Sequence, residues 1–162
     1  MENKDFYKHC LELLNERGVS VDDIMKCTKY LQGKYHADLS DEVFMEAVDR
    51  VLRKREVQFT IMTGIALDKM AESRQLPDKD LEHSLLNDEP LYGLDEVLAY
   101  SICNLYGSIA LTNFGYIDRE KYGKIAELND DSKQCNTFLD DIIGAIAAAA
   151  AGTIAHNQGT LK

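Results

Sequence analysis

The chain has 162 residues, 45% of them hydrophobic and 28% charged, with a formal net charge of −10 and only 2 prolines. That length suits one globular domain with a real core, and the hydrophobic share excludes a disordered chain. The acidic balance repels nucleic acid and an anionic membrane face, and the scarcity of proline and of alternating β-branched runs favours an all-α fold.

Phe6, Cys10, Leu11, Leu13 and Leu14 recur at helical spacing and predict a first helix over 4–17, stopped at Gly18. Ser20 with Asp23 three residues on is a capping-box start for a second helix, whose apolar face is Val21, Ile24, Met25, Leu31 and Tyr35. Ser40 opens a third, with Asp41 and Glu42 suited to its N-terminal dipole. Its stripe of Val43, Phe44, Ala47, Val48, Val51 and Leu52 ends in the basic group Arg50, Arg53, Lys54 and Arg55. That group reads first as a helix end, and also as an anion clamp for headgroup phosphates. The pattern restarts at Val57 and runs to about Ser73, as one bent helix or as two.

After a loop around Pro77, residues 81–86 predict a short helix and 87–90 a turn. Residues 91–106 predict a longer helix with Leu94, Val97, Leu98, Ser101, Ile102 and Leu105 inward. Between Gly107 and Gly115 the spacing predicts a broken helix or a loop returning to the core, and 122–131 an irregular connector.

Thr137 then reads as the N-cap of a helix over about 138–156, with Asp140 completing a capping box. From Ile142 to Ala155 this stretch carries no charge. A helix apolar on every side is buried on every side, so it is expected at the centre. The tail after Asn157 is expected to fray. The uncharged run is shorter than the ~20 residues that span a bilayer. Cys10, Cys27, Cys103 and Cys135 form no C-x-x-C and read as buried free thiols, not a zinc site. Free thiols and no signal segment point to the cytoplasm.

Three carboxylate clusters sit among apolar residues or glycine: Asp95-Glu96, Asp118, and Asp140-Asp141, with Asp68 a weaker fourth. Converging acidic pairs suit magnesium, a hard cation that prefers oxygen ligands. Lys121 and Arg119 supply positive charge for phosphoryl oxygens. Each also has a plain structural reading: the acidic pairs as helix caps, Asp118 with Lys121 as a surface ion pair, Asp68 as the solvated edge of its helix. His156 suits a helix C-terminus, while His9, His36 and His83 read as surface residues. No Cys-x5-Arg, Asp-x-Asp-x-Thr, G-x-S-x-G or Walker-type glycine loop occurs.

Leu94-Asp95-Glu96-Val97, Asp118-x-x-Lys121-x-Gly123-x-Ile125, and Phe138-Leu139-Asp140-Asp141-Ile142-Ile143-Gly144-Ala145 resemble, in order, the signatures of the phosphatidylglycerophosphatase A family. The soluble YutG-like, or low-temperature-requirement C, branch is closer, and matches further at Thr63-Gly64-Ile65-x-Leu67-Asp68. Tyr122 and Lys124 stand where the membrane-bound members have prolines, and the membrane spans are missing.

The resemblance implies an all-α bundle of about six helices, one central helix with about five around it. It implies magnesium-dependent hydrolysis of phosphatidylglycerophosphate, or of a small phosphomonoester, with transient membrane-surface contact. Asp95, Glu96, Asp140 and Asp141 would hold one or two Mg2+, directly or through water. Asp118 would be a further ligand or the base that orients the attacking water. Lys121 would bind phosphoryl oxygens, and Asp141 would act in catalysis as well. Arg53, Arg55, Asp68 and Arg119 are weaker substrate contacts. A homo-oligomer, dimer or tetramer, is expected. Competing readings are a non-catalytic helical partner-binding protein and a pyrophosphohydrolase-like enzyme, whose Glu-x-x-Glu pattern is not evident.

Overall fold

The computed structural model describes residues 5–159. Helix α1 (Phe6–Glu16) is capped by Asp5, and the chain reverses at Gly18, whose φ of +81° suits a residue without a side chain. In front of α2 (Val21–Gln32) the Ser20 hydroxyl accepts the Asp23 N–H at 3.1 Å, while the Ser20 N–H donates to the Asp23 carboxylate at 2.9 Å. Tyr35 lies beyond α2 and is exposed, so it does not extend the apolar face. Helices α3 (Asp41–Leu52) and α4 (Arg55–Glu72) are separate, divided where Lys54 turns extended. The chain continues through α5 (Lys79–Leu86), α6 (Leu94–Cys103), α7 (Ser108–Glu120), α8 (Lys124–Asp130) and α9 (Leu139–Gly159).

The described residues thus hold nine helices and no strand, where about six helices were expected. The difference lies in short or glycine-interrupted pieces. Residues 108–120 form the intact helix α7, not a broken one, and the expected connector contains α8. Gly115 of α7 faces solvent, so it costs only helix propensity, while Ala110, Phe114 and Ile117 keep a buried stripe at positions i, i+4 and i+7. In α6 the expected inward face is corrected. Leu94, Val97, Ser101 and Leu105 are exposed, while Ile102 enters the core as expected and is joined there by Ala99 and Cys103.

Helix α9 is the axis. Ala145 and Ala147 through Ala151 are fully buried, with α2, α3, α4, α6, α7 and α8 packed around them. Small side chains allow close approach: a Cβ at Gly152 would stand 3.5 Å from that of Ala110 on α7. The stretch Leu139–Asn157 is long and apolar enough to cross a bilayer, contrary to the reading from its uncharged run, but 83% of its apolar window is enclosed by the bundle. The helix continues past Asn157 to Gly159, and the rest of the tail lies outside the described residues. All four cysteines are free and buried.

The start of α9 differs from the expected cap. The Thr137 hydroxyl donates to the Leu85 carbonyl at 2.6 Å. The first amides are capped from another helix: Asp68 of α4 accepts the N–H groups of Phe138 and Leu139, both at 3.0 Å. A carboxylate at a helix N-terminus satisfies amides that lack a partner within the helix and complements its positive end. Asp68 is therefore fully buried and structural, not a solvated edge.

Candidate active site

Three helix ends meet above this cap. The first turn of α6 carries Asp95 and Glu96, the end of α7 carries Asp118 and Lys121, and the first turn of α9 carries Asp140 and Asp141. Together with Asp88, Glu89 and Pro90 of the preceding turn they line one cavity of about 330 Å³. Seven carboxylates thus surround one ammonium.

That ammonium stands among the carboxylates. Lys121 Nζ lies 2.9 Å from Asp118 Oδ1, 3.1 Å from Asp140 Oδ2 and 3.8 Å from Asp141 Oδ1. Lys121 ends α7 in the left-handed conformation, φ 50° and ψ 58°, with its N–H on the Ile117 carbonyl at 2.9 Å. A side-chain-bearing residue held there stores on the order of 1 kcal/mol or more of strain. The next residue is clamped from α2: the Tyr122 ring stacks on Tyr30 at 4.0 Å between centroids, and the Cys27 thiol donates to the Tyr122 carbonyl.

Burial and charge shift the site's acids together. Withdrawal from water raises Asp140, and the Lys121 ammonium opposes that rise. Burial, then Asp140 and a hydrogen bond with Asp118, push Asp141 well up. Glu96 is raised by partial desolvation, then by Asp118 and Asp95. For Lys121, burial works against the charge, but Asp140, Asp118 and Asp141 outweigh it and the net shift is upward. Burial and like-charge crowding make the charged form of each of these carboxylates costlier.

The donors are all oxygens, which suits a hard cation such as Mg2+ and not zinc. Among the described residues no three carboxylate, imidazole or thiol side chains are placed to hold a metal ion, and Lys121 occupies the space between Asp118 and Asp140.

A family model, phosphatidylglycerophosphatase A, matches residues 29–156, which include every one of these acids. The chain belongs to the phosphatidylglycerophosphatase A family. Its relatives include the uncharacterised Bacillus subtilis (strain 168) proteins YpjQ and YutG. YpjQ is 50% identical over 93% of this chain and 85% of its own length. YutG is 55% identical over 88% of this chain and 86% of its own. Among solved structures, the low temperature requirement C protein of Listeria monocytogenes superposes with a TM-score of 0.93 at 48% identity, covering 98% of this chain and 99% of that one.

The family motifs account for Asp95, Glu96, Asp118, Lys121, Asp140 and Asp141, which line one cavity. The other expected contacts lie elsewhere. Arg53 pairs with Asp49 at 2.7 Å and covers the Tyr7 ring, while Arg55 lies over Phe6 and Phe59. Arg55 and Asp68 stand thirteen positions apart on α4, about 20 Å along the helix. Both oxygens of Asp68 are committed to the α9 amides, beneath the cavity. Arg119 points to solvent beside Glu120. In the sequence Asp88 is an ordinary turn residue. Its φ of +47° is a conformation that aspartate tolerates, but only the packing of α5 and α6 shows that the turn faces the cavity.

Proposed function

We propose that the protein is a magnesium-dependent phosphatase of a lipid phosphomonoester, phosphatidylglycerophosphate foremost, acting from the cytoplasmic side of a membrane surface. The observation that carries this reading is the meeting of three acidic motifs, far apart in sequence, around one cavity with a single lysine. A bound magnesium ion would supply Lewis-acid polarisation of the phosphoryl group and a lower pKa for water.

Asp95, Glu96, Asp140 and Asp141 would hold it, directly or through bound water. Asp118, at the end of α7, would be a further ligand or the base that orients the attacking water. Lys121 donates to phosphoryl oxygens as negative charge builds on them. The lipid reading draws support from an apolar rim. Leu91, Leu94 and Val97 are exposed beside Asp95 and Glu96, where the diacylglycerol end of a seated headgroup would emerge.

The test is phosphate release from phosphatidylglycerophosphate in mixed micelles and from small phosphomonoesters, with magnesium and with chelator. Asp140→Asn and Glu96→Gln, folded as judged by circular dichroism, are expected to lose about 100-fold or more in rate, the scale of a lost electrostatic contact in the transition state. Full rates in both variants would overturn the site assignment. Release from small esters alone would overturn the lipid reading, and no release from any ester would favour a non-catalytic binding protein.

A further inference from the structure

The Lys121 ammonium stands between Asp118 and Asp140, inside the acidic cavity. Two features show that this placement is built and not incidental. The backbone of Lys121 is held left-handed, and the Tyr122–Tyr30 stack with the Cys27 thiol fixes the chain just beyond it. No other cation lines the cavity among the described residues.

We infer that Lys121 is the built-in counter-ion of this acidic cavity, and that a divalent cation entering the cavity competes with it for Asp118 and Asp140. The inference rests on the reading of the cavity as a magnesium site. Ammonium and metal repel one another at close range, so each weakens the other's hold on the same carboxylates. When the cation takes them, the ammonium is released toward the open side of the cavity. Its flexible four-carbon stem allows that movement without a change in backbone. Lys121 thus keeps the acids together before loading and is free to meet phosphoryl oxygens only after it. Phosphate recognition is thereby tied to the presence of metal.

The test is calorimetric titration with magnesium chloride of wild type, Lys121→Met and Lys121→Arg, with thermal unfolding in chelator and in magnesium. Lys8→Met, on the exposed face of α1, makes the same change in net charge far from the cavity. Lys121→Met is expected to bind magnesium about tenfold more tightly or better. It is also expected to melt below wild type in chelator, and to gain more from magnesium than wild type does. Lys121→Arg keeps the charge and should bind no more tightly than wild type, and Lys8→Met should leave the affinity within about twofold. Equal or weaker binding by Lys121→Met, or tightening by Lys8→Met to the same extent, would overturn the inference while magnesium-dependent phosphate release by wild type kept the phosphatase reading. Absence of magnesium binding in wild type and variant alike would overturn both. If Lys121→Met did not fold in chelator but folded in magnesium, the counter-ion role would be supported directly.

Discussion

Gly64 offers the sharpest test of how the cavity floor is held. It sits in the middle of α4, four residues before the capping Asp68, and faces the first turn of α9. A Cβ there would fall 2.3 Å from Ile142 Cδ1 and 3.1 Å from Phe138 Cβ. Comfortable carbon contacts need about 3.5–4 Å, so α9 or Ile142 must give way by roughly 1.5 Å. Ile142 is fully buried, and the Phe138 Cβ moves only with its backbone. Overpacking of this kind costs about 1–3 kcal/mol, against a gain of about 1 kcal/mol for alanine over glycine inside a helix. The expected net loss for Gly64→Ala is about 1 kcal/mol. Gly115 is the internal control: it lies in α7, and a Cβ there meets only open space. Gly115→Ala should therefore stabilise by about 0.5–1 kcal/mol. Thermal unfolding in parallel should separate the two variants by several degrees, at about 2–4 °C per kcal/mol for a chain of this size. Because Phe138 and Ile142 flank Asp140 and Asp141, Gly64→Ala should also weaken the proposed magnesium binding, which Gly115→Ala should leave unchanged. Equal stabilisation by both substitutions would refute the close α4–α9 approach.

Asp68 is raised from 3.8 to about 7 by burial, against the pull of its two amide bonds. The folded state then binds the proton more tightly than the unfolded one, so this residue's contribution to stability falls as pH rises from about 4 to about 7, by on the order of 4 kcal/mol. Urea midpoints across that range should fall less steeply in Asp68→Asn than in wild type, and an unchanged slope would refute the assignment. Arg17 is buried and donates to both oxygens of Glu72, to the Cys135 carbonyl at 2.7 Å and to Asn136 Oδ1, tying down the segment that leads into α9. Arg17→Met should cost about 3 kcal/mol in denaturant unfolding, and a loss below about 0.5 kcal/mol would show that the clamp carries no stability. Burial pushes the thiols of Cys10 and Cys27 up to about 11 and Cys103 to about 12, and raises Cys135. A disulfide reagent at pH 8 should therefore leave all four unmodified in the native protein and titrate all four in denaturant.

Much of this molecule was legible from residue pattern alone. The central position of α9 follows from a stretch with no polar face, since such a helix has no side to give to water. The start of α2 follows from Ser20 and Asp23, because a capping box closes within four residues. The acidic motifs stood out because each is flanked by apolar residues, and their order carried the family. Local pattern failed where a partner distant in sequence supplies what the chain lacks. Thr137 is a sound N-cap by type, yet the amides of α9 go to Asp68, about seventy residues earlier, which no local rule can find. Leu94 and Val97 look like core residues, yet the packing of α6 against α9 turns them outward beside the cavity. Asp88 is an ordinary turn residue until α5 and α6 bring it to the cavity wall. The sequence by itself determined which side chains are acidic, which helix must be buried and where most helices begin. Only the tertiary structure decided that the ends of α6, α7 and α9 meet at one point and that Lys121 stands between their carboxylates, because burial and long-range charge depend on what the rest of the chain brings alongside.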